Sequence, residues 1–116
     1  MRVLVDTSIW SEALRRANRV ESVIVREFRS LIAEHRVDII GPIRQELLSG
    51  LREDAQFAKL EKHIAAFPDI QLTTDDFVTA AQFFNVCRTK GIQGSNTDFL
   101  ICAVAVRRQL AIYTTN

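Results

Sequence analysis

Short apolar runs alternate along the chain with longer segments in which apolar and polar residues recur at helical spacing. Four runs rich in β-branched residues predict strands, at 3–5, 37–40, 70–73 and 111–115. Three of these runs are too apolar for strands with one solvent-facing side, and the first three begin about 30 residues apart, which is typical of a parallel sheet with helical crossovers on both faces.

The segments between the predicted strands indicate helices, because their apolar residues lie three or four positions apart. These segments span 8–17, 20–35, 41–50, 52–67, 73–91 and 96–109. Pro42 suits a first helical turn and Gly50 a helix end, while Thr74 or Asp75 is expected to cap the fifth segment. Alternation of helices and strands predicts an α/β fold of three layers, α/β/α, with a central parallel sheet of four or five strands.

Length and composition indicate one soluble globular domain over residues 1–116. The chain has 116 residues, of which 47% are hydrophobic and 25% charged, and a domain of this size buries enough surface to fold without disulfides. No apolar run approaches the ~20 residues of a membrane span, and the N-terminus lacks the apolar core of a secretory signal. We therefore expect a cytosolic protein that does not contact a membrane.

The charge balance identifies no partner. The formal net charge is +1, so no strong overall field attracts the chain to nucleic acid. Basic residues cluster at Arg15, Arg16 and Arg19, at Arg88 and Lys90, and at Arg107 and Arg108. Solvated helix faces explain these clusters at least as well as a nucleic-acid-binding surface does.

The cysteines and histidines do not indicate a zinc site. Cys87 and Cys102 lie in apolar helical patterns, which favours buried, reduced thiols. There is no C-x-x-C motif, and His35 and His63 are not spaced as metal ligands are.

Asp6 directly follows the first predicted strand, in the stretch "VLVDTSIW". In open parallel sheets, functional sites form outside the carboxyl ends of the strands, which makes Asp6 a candidate metal ligand. Alternatively, Asp6, Thr7 or Ser8 caps the helix that follows. This stretch by itself favours the capping interpretation.

Glu46 is a candidate of the same kind on the third predicted helix. Ile43 and Leu47 belong to the apolar stripe of that helix, and at about 100° per residue Glu46 lies at the margin of the stripe. A solvated Glu is the commoner case, but a carboxylate at this margin is well placed at the edge of the sheet.

Asp98 is the strongest candidate, because it opens a helix that is apolar almost all round. Ser95, Asn96 or Thr97 can supply the helix cap, so the cap does not require Asp98. Its alignment with Cys102 predicts that the carboxylate points inward. Burial of a carboxylate is costly unless a cation or hydrogen-bond donors compensate, so this position favours function.

Three stretches in this order resemble the PIN domain, most closely the VapC-type toxins of prokaryotic toxin–antitoxin pairs. They are "VLVDTSIW", "IRQELLSGL" and "GSNTDFLICAVAVRRQLAIYTTN", and together they span nearly the whole chain. The resemblance implies a Rossmann-like α/β/α sandwich, cleavage of RNA by an endonuclease, a homodimer, and inhibition by a small antitoxin protein.

The resemblance also implies a metal site. It implies that three acids are catalytic and bind one or two Mg²⁺ or Mn²⁺ ions together. They are Asp6, Glu46 and Asp98. Supporting roles fall to Thr7, Ser8 and Asn96. Oxygen ligands of this kind suit Mg²⁺, which takes few carboxylates and retains several waters.

The chain departs from the family pattern at its end, where Asn116 stands at the position of a usual fourth acid. Two alternatives stay open: the sequence is shortened, lacking a further strand and helix, or Asn116 is the natural occupant. An amide oxygen can bind a metal ion but brings no charge.

The main rival function is a catalytically silent PIN-like module that acts only through partner binding. A phosphoryl-accepting receiver domain is disfavoured because no lysine follows Lys90, and a dinucleotide-binding enzyme because no G-x-G-x-x-G motif is present. The residues do not indicate the RNA target, the cleavage sequence or the antitoxin.

Overall fold

A computed structural model describes residues 1–15 and 22–115, except for the side chain of Arg15. This part of the chain forms three strands and six helices. In order they are β1 (Val3–Val5), α1 (Thr7–Arg15), α2 (Val23–Ala33), β2 (Val37–Asp38), α3 (Gly41–Leu48), α4 (Asp54–Ile64), α5 (Thr74–Thr89), α6 (Asn96–Arg108) and β3 (Ala111–Tyr113).

The three strands form one parallel sheet in the order β2-β1-β3. Val3 of the central strand is in register with Val37 on one side and with Ala111 on the other. Because all strands run in the same direction, the residues that follow β1 and β3 meet at one edge of the sheet.

Strand β1 is the centre of the hydrophobic core, and Leu4 and Val5 are completely buried. Helix α6 packs its apolar face onto this core through Ala103 and Val104. Trp10 of α1 contacts the rings of Phe28 and Phe67 edge-on at 4.8 and 5.1 Å, so it links α1, α2 and the segment after α4.

The predicted strands at 37–40 and 111–115 are shorter in the structure, where β2 ends at Asp38 and β3 ends at Tyr113. The run at 37–40 forms a strand only to Asp38, because Ile40 is already the N-cap residue of α3. The prediction of a strand at 70–73 is wrong. In that region an isolated bridge joins Asp69 to Ile39, and Ile70 N–H donates to the carbonyl of Ile39 at 2.9 Å.

The run at 70–73 does not form a strand, and the next helix begins immediately after it. Thr73 N–H donates to Oδ2 of Asp76 at 2.7 Å, in a capping box that starts α5. The N-cap residue is therefore Thr73, and the expectation of Thr74 or Asp75 is wrong. The described sheet has three strands where four or five were predicted, while the α/β architecture is as expected.

All six predicted helices are present over their described parts, with ends that differ by a few residues. The predicted end of the first helix at 16–17 and the predicted start of the second helix at 20–21 lie outside the described residues. Across the described segments, no helix combines the length and the apolar character that crossing a bilayer requires.

Candidate functional site

A cleft of about 200 Å³ opens at the edge of the sheet where β1 and β3 end. We call it the acidic cleft. It is lined by Asp6, Asp98, Ile101, Cys102, Ile112 and Thr114. Two of the three acids singled out from the sequence therefore contribute to one concave surface.

Asp6 is held by three hydrogen-bond donors and is only 8% exposed. Its Oδ1 accepts from the N–H of Thr7 at 2.7 Å. Its Oδ2 accepts from the hydroxyls of Ser8 at 3.1 Å and Thr114 at 2.7 Å. Asp6 thus satisfies the first backbone N–H of α1, as the capping interpretation expects, and it also lines the cleft.

Thr114 is a site residue that the sequence argument did not single out. It directly follows β3, and the register of β3 beside β1 brings its hydroxyl to Asp6, 108 positions away. Thr115 N–H also donates to Oγ of Ser8 at 3.2 Å. A hydroxyl residue after the last strand was the available signal, but only the order of strands in the sheet shows which acid it contacts.

Glu46 lies on the exposed side of α3, while Ile43 and Leu47 on the same helix are buried. Its predicted position at the margin of the apolar stripe is consistent with this placement. Oγ1 of Thr7 donates to Oε2 of Glu46 at 3.0 Å. Glu46 is therefore connected to Asp6 through Thr7, although it does not line the cleft itself.

Asp98 differs from the expectation in two respects. Its side chain is exposed at the start of α6, so the inference of a buried carboxylate is wrong. It also takes part in the helix cap. Ser95 N–H donates to Oδ2 of Asp98 at 3.0 Å, and Asp98 N–H donates to Oγ of Ser95 at 3.1 Å. In the first turn of a helix a carboxylate satisfies free N–H groups and still faces solvent.

Asn96 and Asn116 are the remaining candidates. Asn96 begins α6 and lines a different groove, together with Pro42 and Phe77, rather than the acidic cleft. Asn116 lies outside the described residues.

The comparisons with known proteins decide the family. The model of the PIN domain family matches residues 3–116. The chain belongs to the PIN-domain family. The resemblance drawn from the three sequence stretches is thereby confirmed.

Curated relatives of this PIN domain include the ribonuclease VapC11 of Mycobacterium tuberculosis and a VapC ribonuclease of Mycobacterium bovis. Each is 34% identical over 107 residues, which cover 90% of this chain and 79% of the relative. The recognition of a VapC-type PIN domain is therefore confirmed.

Two solved structures share the fold of this PIN domain. One is the crystal structure of VapBC2 from Rickettsia felis bound to a promoter DNA fragment. It superposes with a TM-score of 0.80 at 19% identity, and the match covers 100% of this chain and 88% of that chain. FitAcB from Neisseria gonorrhoeae gives 0.79 at 22% identity, covering 98% and 87%. At these identities the likeness confirms the α/β fold alone.

The donor chemistry of the acidic cleft fits a hard divalent cation. Three of its lining residues, Asp6, Asp98 and Thr114, carry oxygen atoms in their side chains, and Cys102 carries a thiol. Among residues 1–15 and 22–115, no three His, Cys, Asp or Glu side chains lie close enough to form a ready-made metal group. Mg²⁺ is commonly bound by one or two carboxylates and retains its waters, so two carboxylates are sufficient.

The cysteines are less buried than their sequence context predicted. Both are free thiols; Cys87 is partly buried and Cys102 is exposed. Cys102 lies one turn after Asp98 on the face of α6 that lines the cleft. Desolvation, and then the charge of Asp98, raise the pKa of the Cys102 thiol.

A second cluster of charges was missed by the sequence argument. Asp76 of α5 is 0% exposed. Its Oδ1 accepts from Arg107 at 2.5 Å and from Arg108 at 2.6 Å, and its Oδ2 accepts from Arg108 at 2.8 Å. We call these three residues the Asp76 cluster. The hydrogen bonds from Arg108, with those from Thr73 and Arg107, outweigh burial and hold the pKa of Asp76 well below its usual range.

The Asp76 cluster is separate from the acidic cleft. Asp98 lies in the first turn of α6, and Arg107 and Arg108 lie in its last turn. At a rise of about 1.5 Å per residue, the two ends lie roughly 14 Å apart along the helix. The cluster therefore joins the end of α6 to the start of α5 and serves the fold rather than the cleft.

Proposed function

We propose that this PIN domain is a metal-dependent endoribonuclease that hydrolyses phosphodiester bonds in RNA and acts as the toxin of a toxin–antitoxin pair. One structural observation carries the proposal: Asp6 and Asp98, distant in sequence, line the same cleft at the carboxyl edge of the parallel sheet. The relatives named VapC ribonucleases support the choice of RNA as substrate.

Asp6 and Asp98 would hold Mg²⁺ or Mn²⁺, and Glu46 would act beside them through its contact with Thr7. When bound, such an ion acidifies a water and stabilises charge on the phosphoryl oxygens. The donors on Asp6 orient its carboxylate, because Thr7, Ser8 and Thr114 all donate to it.

The supporting residues have distinct parts in this proposal. Ser8 and Thr114 fix the orientation of Asp6, and Thr7 joins Asp6 to Glu46. Asn96 is proposed to act only at the border of the site. Asn116, the residue after Thr115, is proposed as a fourth position that binds water or metal through an uncharged amide oxygen.

The proposed partners are the RNA substrate and a small antitoxin protein, with a second copy of this chain forming a homodimer. The crystal structure of VapBC2 contains a chain with this fold, which is consistent with an antitoxin partner. Inhibition would follow if the antitoxin covered the acidic cleft.

Cleavage of RNA by the purified chain tests the proposal. We expect cleavage in millimolar Mg²⁺ or Mn²⁺, and we expect EDTA to abolish it. Asp6→Asn or Asp98→Asn should reduce the cleavage rate by at least about 100-fold, because both carboxylates would hold the ion. Asp75→Asn makes the same chemical change at an exposed residue of α5 and should cleave like the wild type.

Two outcomes would contradict the nuclease proposal. Undiminished cleavage by folded Asp98→Asn would exclude the acidic cleft as the catalytic centre. Tight binding of a protein partner by a wild-type chain that cleaves no RNA would favour the catalytically silent module instead.

A further inference from the structure

A separate cavity of about 310 Å³ lies beside Asp98, between the end of α5 and the start of α6. We call it the α5–α6 cavity. It is lined by Phe84, Arg88, Ile92, Gln93, Gly94 and Phe99. Its volume is at the lower end of the roughly 300–1,000 Å³ that small-ligand pockets have, and its lining combines aromatic, aliphatic, amide and cationic groups.

The wall of this cavity adjoins the candidate site. A Cβ atom on Gly94 would lie 3.6 Å from Oδ2 of Asp98. It would also lie 3.1 Å from the ring of Phe99, closer than ordinary packing allows. Glycine at position 94 thus leaves room for the ring of Phe99 in the cavity wall, next to the carboxylate that would hold the metal.

The turn after α5 places the apolar side chain of Ile92 at the cavity, although this side chain is exposed to solvent. Gly91 has a φ of 75°, which permits the N–H of Ile92 to donate to the carbonyl of Cys87 at 2.8 Å. Ile92 is 55% exposed in this fixed turn. An aliphatic side chain exposed at the opening of a cavity is suited to contact a flat ligand.

Arg88 supplies a cation that no protein carboxylate neutralises in the described ranges. Arginines of the described part of the chain that do pair with a carboxylate include Arg2, Arg36, Arg44, Arg107 and Arg108. Arg88 is exposed and lies one helical turn after Phe84, on the face of α5 that lines the cavity. Its guanidinium is therefore available for an anionic ligand.

We propose that the α5–α6 cavity binds one unpaired base of the RNA next to the cleaved bond, and that Arg88 binds the adjoining phosphate. The inference rests on the proposed nuclease function. Unstacked bases in single-stranded RNA are bound by aromatic and apolar surfaces and by arginine. Phe84 and Ile92 contact the face of the base, and the amide of Gln93 hydrogen-bonds to its polar edge.

Steady-state kinetics on short single-stranded RNAs test the role of Arg88. Arg88→Gln should raise KM by about tenfold, the loss expected for one hydrogen bond to a charged group, with kcat little changed. Arg26→Gln removes the same charge from an exposed residue of α2 that does not line the cavity, and it should leave KM unchanged.

Base preference tests the apolar part of the cavity. Ile92→Ala should weaken the preference for the nucleotide at one position beside the cut and leave the other positions unaffected. Val86→Ala, at an exposed residue of α5 outside the cavity lining, is its control. Melting temperatures establish that each variant is folded before it is compared.

Photo-crosslinking in EDTA gives a measurement that does not depend on cleavage. RNA carrying 4-thiouridine should crosslink within residues 84–99 of the wild type and much less in Arg88→Gln. Crosslinking there by a chain that cleaves no RNA supports the cavity while contradicting the nuclease proposal. The cavity proposal is overturned if folded Arg88→Gln and Ile92→Ala have the same KM, base preference and crosslinking as the wild type. That outcome leaves the nuclease proposal intact.

Discussion

Asp76 carries its charge in complete burial. Such burial is tolerated only where donors replace water, and here Arg107 and Arg108 supply three hydrogen bonds to the two carboxylate oxygens. Thr73 adds a backbone donor at 2.7 Å. The carboxylate is thus fully compensated, where the end of α6 packs against the start of α5.

Loss of the charge at Asp76 should destabilise the fold. We expect Asp76→Asn to lower the free energy of unfolding by about 2 kcal/mol, below the ~3–5 kcal/mol of a fully buried pair because the two arginines keep contact with solvent. Urea unfolding measures the change. Asp75→Asn is the matched control, since that side chain is 80% exposed and lies 3.7 Å from Arg107, and its effect should stay below about 1 kcal/mol. Equal losses in both variants would contradict the assigned role of Asp76.

The same residue predicts how stability depends on pH. The pKa of Asp76 in the folded chain is lowered chiefly by the hydrogen bonds from Arg108. Its contribution to stability is therefore complete above the unfolded pKa of about 4 and declines as the pH falls below that value. The difference in unfolding free energy between wild type and Asp76→Asn should be constant from about pH 8 to 6 and shrink below about pH 4. A difference that is unchanged at pH 3 would contradict this linkage.

At the scale of single elements, helix α6 shows what periodicity predicts and what it leaves out. The sequence predicted a helix at 96–109, and α6 spans Asn96–Arg108. It did not predict that Asp98 belongs to the cap, because several nearby polar residues were equally able to cap the helix. The choice of Ser95 with Asp98 depends on the turn that precedes the helix.

The two capping residues of α6 should separate stability from activity. Ser95→Ala removes the acceptor for Asp98 N–H and should cost about 1 kcal/mol of unfolding free energy, with cleavage retained. Asp98→Asn should have a similar or smaller effect on stability and abolish cleavage. Urea unfolding and RNA cleavage by the same preparations distinguish the two effects. If folded Ser95→Ala were as inactive as Asp98→Asn, the metal-binding role of Asp98 would lose its support.

At the scale of the whole molecule, sheet order assembles the candidate site. The parallel pairing of β3 with β1 brings Thr114 to Asp6, and the packing of α6 on the sheet brings Asp98 to the same cleft. None of these contacts is local in sequence. The site therefore exists only when the fold is complete.

Binding of a divalent ion should consequently stabilise the entire fold. At an ion concentration ten times its Kd, mass action contributes about 1.4 kcal/mol, enough to raise the melting temperature by several degrees. Thermal melts in Mn²⁺ or Mg²⁺ should show this rise for wild type and for Asp75→Asn, and much less for Asp6→Asn and Asp98→Asn. A wild-type melting temperature that millimolar ion leaves unchanged would contradict the proposed metal site.

The sequence alone determined the α/β class, the helices and the positions of Asp6 and Glu46 relative to their own elements. These features depend on periodicity and on immediate neighbours, which the sequence displays directly. The tertiary structure decided the rest: a sheet of three described strands, the exposure of Asp98, the contact of Thr114 with Asp6, and the burial of Asp76. Those outcomes depend on which distant segments pack together, because strand register and helix packing determine the neighbours of each side chain. Thr114 and Asp6, for example, are in contact although they are 108 positions apart.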